Sequence, residues 1–387
     1  MWDRLPGGPA SIAVFLCILV SYTIQTEAIQ YIQHTLGYKK PLLLLYVTHS
    51  SFMFLLPIHL ALIHVCTSHS VPHCCAMLKR DTKKQLSLAF GSEKSSLATN
   101  ITRLSCVLFI LTVALTIPSV SWFLAVPLTS MANITSIYNT FSLWALVFSV
   151  YFLKEPCSYL QVIAVLLGLV GVVLSAYGGA TQPAIIAGIQ GGRVISYALL
   201  GDVLALLGAI SMAAYEIFYK RLATIPQDEL RGSFQPLSSD ELSEHAPQDE
   251  IEGELPFGLH PITMMTGIGA MTLCLFWIPL LFSHLFGIER IEWPTSGTTL
   301  LWILLSILCG TLFNGCFAIL LSLWGPVLAS MSCLLTTVLV QLTDVLLGIP
   351  FSWISMVGNL IITVSFACLL PLSLIHISEP TRRRGIS

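Results

Sequence analysis

The residues able to do chemistry here are polar side chains set inside long apolar runs. Thr23, Glu27, Gln30 and His34 fall at i, i+4, i+7 and i+11, one line along a helix. Thr129, Asn133, Ser136 and Thr140 make a second line, widened by Thr135, Tyr138, Asn139 and Ser142. Ser330, Thr337, Gln341 and Asp344 make a third, and Ser211, Tyr215, Tyr219 and Asn314 add to it from other runs. These are hydrogen-bonding groups, with the rings of Trp122 and Tyr215 able to stack on a planar molecule. Such a set binds a small polar solute and has no means of cleaving it. The chain shows no phosphate-binding loop, no His-Glu-x-x-His and no serine nucleophile elbow. The expectation is therefore a non-enzymatic protein without a cofactor or a catalytic metal.

The acids divide by position. Glu27 lies about two-thirds along its run, remote in sequence from Lys or Arg. It is the first candidate for proton coupling or for pairing with a cationic substrate; a buried, hydrogen-bonded carboxyl is the plainer alternative. Asp344, near the end of its run, is the second coupling candidate, with an interfacial position as its alternative. Glu216 stands four residues before Lys220, the spacing of an ordinary helix-surface ion pair. Asp202 opens its run, where it would complement a helix N-terminus. His64, Cys66, His69, His73, Cys74 and Cys75 cluster without a familiar metal-ligand spacing.

Elements that could hold these residues follow from composition. Of 387 residues 55% are hydrophobic and 10% charged, against roughly 25% charged in soluble domains. The chain is expected to be an all-α integral membrane protein whose partners are the lipid bilayer and a small molecule. A net charge of -2 argues against nucleic acid. About 20 apolar residues cross a bilayer as a helix, and ten runs qualify: 11–33, 41–66, 104–125, 129–153, 159–177, 199–222, 261–286, 298–320, 326–347 and 353–371. Lys and Arg concentrate on the side of the N-terminus, which places residues 1–10 in the cytosol.

The same layout occurs twice. A long run with scattered polar residues reaches Pro156-Cys157-Ser158-Tyr159 in one copy and Pro350-Phe351-Ser352-Trp353 in the other, and an almost wholly apolar run follows each. The fold class expected is ten transmembrane helices in two similar halves, 11–177 and 199–371. A basic cytosolic loop spans 67–103, a non-cytosolic loop 178–198, and an acidic, disordered cytosolic loop 223–259. Residues 372–387 begin Leu-Ser-Leu-Ile-His-Ile-Ser-Glu-Pro-Thr-Arg, the translation of a common sequencing adapter. They are set aside as an assembly artefact.

Phe152-Leu153-Lys154-Glu155, the glycine-spaced run 166–174, Gly201-Asp202-Val203-Leu204-Ala205-Leu206 and Gly325-Pro326-Val327-Leu328-Ala329-Ser330 resemble the EamA-type repeats of the drug/metabolite transporter superfamily. Phe313-Asn314 is similar to the F-type solute carriers related to nucleotide-sugar transporters, which include thiamine-transporter-like and fungal vacuolar-membrane proteins. The chain departs from that pattern at Ser121-Trp122-Phe123, where many relatives carry an Asn-Tyr pair. The resemblance implies ten helices as two inverted five-helix repeats, alternating access around a central cavity and an endomembrane location, vacuole, lysosome or Golgi. A homodimer is left open.

The expected function is secondary transport or exchange of a small polar metabolite. Trp122, Asn133, Tyr138, Asn139, Thr140, Tyr215, Asn314, Thr337 and Gln341 would bind the substrate, and Glu27 and Asp344 would couple a proton or cation. The scarcity of Lys and Arg in the runs favours a neutral or cationic solute, thiamine-like or an amine, over a nucleotide sugar. A non-transporting scaffold, sorting factor or receptor is the alternative. An intramembrane enzyme would need a paired catalytic constellation that the sequence lacks.

Overall fold

The computed structural model describes residues 6–67, 70–91, 96–129, 131–177, 192–225, 255–346 and 352–378. The acidic stretch of 223–259 lies mostly outside them, as does most of 178–198. Among the described residues ten helices are long and apolar enough to cross a membrane. In order they are Gly8–Thr35, Pro41–Cys66, Leu97–Ala125, Asn133–Leu153, Tyr159–Tyr177, Tyr197–Ala223, Leu259–Leu285, Gly297–Trp324, Pro326–Thr343 and Trp353–Leu370, called here the first to tenth spans. Helices carry their backbone hydrogen bonds internally, as a bilayer requires.

Several boundaries differ from expectation for local reasons. The third span starts at Leu97, well inside the expected loop, because the Ser96 hydroxyl accepts the Thr99 amide and starts the helix early. The same loop contains a helix, Val71–Phe90, with Pro72 in its first turn and Gly91 ending it in the left-handed conformation. Its buried Gln85 donates to the Leu222 carbonyl at 2.5 Å and meets His260 at 2.7 Å, so this helix is docked on the ends of the sixth and seventh spans. The sixth-span helix extends back to Gly192. Asp202 is therefore ten residues inside a helix and does not complement its N-terminus.

The fourth span is not continuous. Its helix runs Met131–Tyr138, turns at Asn139 and Thr140, and resumes as Phe141–Phe148. The seventh span is interrupted likewise at Phe276. Broken helices inside a membrane persist where protein or a cavity surrounds the freed backbone groups.

The spans pair across the two halves of the chain. The first packs on the eighth, the third on the sixth, the second on the seventh, the fourth on the ninth and the fifth on the tenth. The closest approach joins the last pair. A Cβ built on Gly358 would lie 2.5 Å from the Ser175 nitrogen and 2.6 Å from the Gly171 carbonyl oxygen. Glycine is what lets the two backbones touch.

Loops at the two ends of the bundle lock together. At one end Lys40 bridges Glu292 at 3.1 Å and donates to the Arg290 carbonyl, while the Tyr38 hydroxyl donates to the Glu292 carbonyl. The Glu289 carboxylate accepts the amides of Leu42 and Leu43 at 2.9 and 2.8 Å, which caps the second span. At the other end lie the N-terminus, the Val71–Phe90 helix and the 154–158 turn; there the Trp324 indole donates to the Pro6 carbonyl.

Glu289 gives a first test. Glu289→Ala leaves two helix-end amides without acceptors and should destabilise the protein by about 1–2 kcal/mol, read as a lower melting temperature. Burial pushes the Glu289 carboxyl above its ordinary value of 4.5, against the pull of the two amides and Lys40. A raised folded-state value means stability is greatest below the unfolded value and declines as pH rises through the folded one. Glu289→Gln should flatten that decline.

Candidate functional site

Inside the bundle is a cavity enclosing about 650 Å³ of empty space, its open mouth included. Its walls come from the first, second, third, fourth, sixth, eighth and ninth spans. Six aromatic side chains line it: Tyr22, Trp122, Phe123, Tyr138, Phe141 and Phe313. Tyr22 and Phe313 lie 4.6 Å apart between ring centroids, and Trp122 meets Phe123 edge-on at 5.2 Å. Gln25, Thr26, His49, Ser119 and Asn314 supply hydrogen-bonding groups, and Cys333, Leu115 and Met212 complete the wall. No Lys, Arg, Asp or Glu is among these lining residues.

The broken fourth span builds one wall. Tyr138 ends its first helix and Phe141 begins its second, so the two rings flank the turn, 5.7 Å apart. Asn139 is 2% exposed within that turn, and its carbonyl accepts the Ser142 hydroxyl at 3.0 Å. The Thr140 hydroxyl donates to the Ile137 carbonyl at 2.6 Å. These two residues make the bend that presents the rings.

Of the residues expected to bind substrate, Trp122, Tyr138 and Asn314 are in the cavity wall. Asn314 also donates to the Gly310 carbonyl at 2.9 Å. The others lie elsewhere. Asn133 donates to the Asp202 carboxylate and accepts the Tyr177 hydroxyl, in a cluster that Thr129 completes with a 2.8 Å bond to Asp202. Gln341 belongs to a second cluster. Its carbonyl oxygen accepts a short hydrogen bond from Asn359, and Ser175 donates to Asn359 at 2.8 Å, which ties the fifth, ninth and tenth spans together. Tyr215 is packed in the core with its hydroxyl 3.6 Å from the Met265 sulfur, and Thr337 donates to the Leu334 carbonyl. Glu27 is exposed on the surface of the first span, and the side chain of Asp344 lies outside the described residues.

Two acids depart from their expected surroundings. Glu216 is 0% exposed and neither carboxyl oxygen has a hydrogen-bond partner. It is not a surface partner of Lys220, whose charge is felt instead by Glu155 across the turn that follows the fourth span. Burial pushes the Glu155 carboxyl up, while Lys220 and Ser149 draw it down.

Sequence reasoning missed Tyr22, Gln25, Thr26, His49, Ser119 and Phe313. A signal existed on the first span: Tyr22, Gln25, Thr26, Ile29 and Gln33 keep the i, i+3, i+4, i+7, i+11 spacing of one face. The Glu27 stripe, on a different face, drew the reading instead. Among the described residues no group of three or more His, Cys, Asp or Glu side chains could hold a metal ion; His69 of the 64–75 cluster lies outside them.

These features define a polytopic α-helical membrane protein with a cavity among its spans. Residues 85–177, from the end of the loop helix through the fifth span, match the EamA-like transporter family. A solved crystal structure shares the fold with a TM-score of 0.54 at 16% identity, over 94% of this chain and 97% of its own. No curated protein matches the sequence. The chain is a multi-pass membrane protein with an EamA-like segment over residues 85–177.

Proposed function

We propose that the protein is a secondary transporter or exchanger of a small planar solute, neutral or cationic, working by alternating access. The observation that carries this reading is the cavity wall: six aromatic rings, five neutral or weakly basic polar groups, and no fixed charge. Aromatic faces attract flat rings and cations. A phosphate-bearing nucleotide sugar would need Arg or Lys beside it. A thiamine-like ring or an aromatic amine suits the wall, and the resemblance of Phe313-Asn314 to the F-type solute carriers, which include thiamine-transporter-like proteins, favours the former.

The pairing of spans supports two inverted five-helix repeats, 11–177 and 199–371. Advancing each partner by five maps first–eighth onto sixth–third, and returns second–seventh, fourth–ninth and fifth–tenth to themselves. Five helices per repeat force the copies into opposite orientations. A cavity bounded by both repeats would open to one side and then the other as they rock. The excess of Lys and Arg on the N-terminal side supports a cytosolic N-terminus, and the family resemblance supports an endomembrane site.

Thermal-shift screening of the purified protein against thiamine, aromatic amines, nucleotides and nucleotide sugars tests the substrate class. Stabilisation by a thiamine-like or amine compound is expected, about 2.7 kcal/mol at a hundredfold excess over Kd. Stabilisation by nucleotide sugars alone would overturn it.

A further inference from the structure

We propose that Glu216 is the site at which the protein takes up and releases the proton that drives transport, an inference that rests on the transport reading above. Glu216 sits in the sixth span, well inside the bundle, with both carboxyl oxygens buried and unpartnered. A charged carboxylate in that setting is costly, and structures keep one only where it is neutralised or used. It lies one helical turn beyond Met212, which lines the cavity, on the same span. Tyr138 and Cys333, which line the cavity, both feel its charge.

Among the described residues no cation forms an ion pair with Glu216. On its own span Tyr215 lies against Glu216, Tyr219 donates to the Pro261 carbonyl, and Lys220 has Glu155 as its anionic neighbour. The fourth span contributes Tyr138 and the ninth Cys333. On the third span, its main neighbour, Arg103 sits over the Phe90 ring at 5.3 Å, nearer the loop end. On the seventh, His260 is held by Gln85. Glu27, the acid singled out by sequence, is exposed and outside the cavity wall.

The step balances simply. A hydronium ion in the cavity gives up one proton: an O–H bond of hydronium breaks, leaving water, and one O–H bond forms on a Glu216 oxygen once local motion of the wall lets water reach it, so the residue passes from charge minus one to zero. When the repeats rock, the same bond breaks and the proton leaves to water on the opposite side. No oxidant, reductant or other reactant takes part.

The test uses dicyclohexylcarbodiimide, an apolar reagent that adds to protonated carboxyls, on the full chain in liposomes. Peptide mass mapping should find the adduct at Glu216, at least fivefold more of it at pH 5.5 than at pH 8.5. Glu216→Gln should lose the adduct, and Glu216→Asp should restore it. In the same liposomes loaded for uptake of thiamine and of aromatic amines, an imposed proton gradient should change the wild-type rate at least fivefold. It should have no effect on Glu216→Gln. No adduct at Glu216 at any pH, or an adduct equal across that range, would overturn the proposal, as would a gradient response in Glu216→Gln. If the wild type moves no panel compound, the transport reading fails, and the pH dependence of the adduct still decides whether Glu216 exchanges protons.

Discussion

Trp122→Ala should weaken binding of whichever panel compound stabilises the wild type by about 2 kcal/mol, roughly thirtyfold in Kd. Trp122 is the largest ring in the cavity wall and is 9% exposed there. Phe123 meets it edge-on at 85°, which fixes the plane it offers to a ligand. The substitution also opens space in a packed region, so a melting curve without ligand must accompany it. Trp122→Phe separates the two effects. It keeps an aromatic face, and should recover most of the affinity. Equal affinity in wild type and Trp122→Ala would remove the ring from the binding site.

The second large effect concerns assembly. Gly358→Leu should destabilise the protein by about 3 kcal/mol, the upper range for overpacking a close contact. The added carbon would collide with backbone on both sides, at Ser175 and at Gly171, where no rotamer change gives relief. The fifth and tenth spans would have to separate. That would also disrupt the cluster of Ser175, Asn359 and Gln341. Gly297→Ala is the control: nothing lies within 4 Å of the position its Cβ would take, so stability should stay within about 0.5 kcal/mol. Equal melting temperatures for the two variants would show that the fifth–tenth contact is not as close as described.

Much of the fold was legible because a membrane span is a long, simple signal. The second and fifth spans coincide with the runs read from sequence, 41–66 and 159–177, and the others differ at their ends. At the start of the third span a local cap that hydropathy does not register was responsible, the Ser96 hydroxyl. The break at Asn139 and Thr140 was hidden because neither residue forbids a helix; packing around the cavity sets the turn.

The site was less legible, and the first span shows why. Two polar faces were available, and the acid on one outweighed the Tyr22-Gln25-Thr26 face that lines the cavity. Periodicity says which residues share a face but not which face turns inward. Asn133 and Gln341 illustrate a further limit. Both were found as polar residues in spans, yet each is engaged by other side chains in a cluster that joins helices. Glu216 was misplaced because spacing alone pairs it with Lys220, whereas the fold brings Glu155 to that lysine. The fifth and tenth spans looked featureless, although Gly171 with Ser175, and Ser355 with Asn359, carry the four-residue spacing of a close helix pair.

The most direct test of the account is counterflow in proteoliposomes. Protein reconstituted in vesicles preloaded with unlabelled thiamine, or with an aromatic amine from the panel, is offered the same compound in labelled form outside. The account predicts transient accumulation of label above the outside concentration, reduced by Trp122→Ala. Uptake no faster than in protein-free vesicles for every neutral and cationic compound, with counterflow of nucleotide sugars instead, would contradict it.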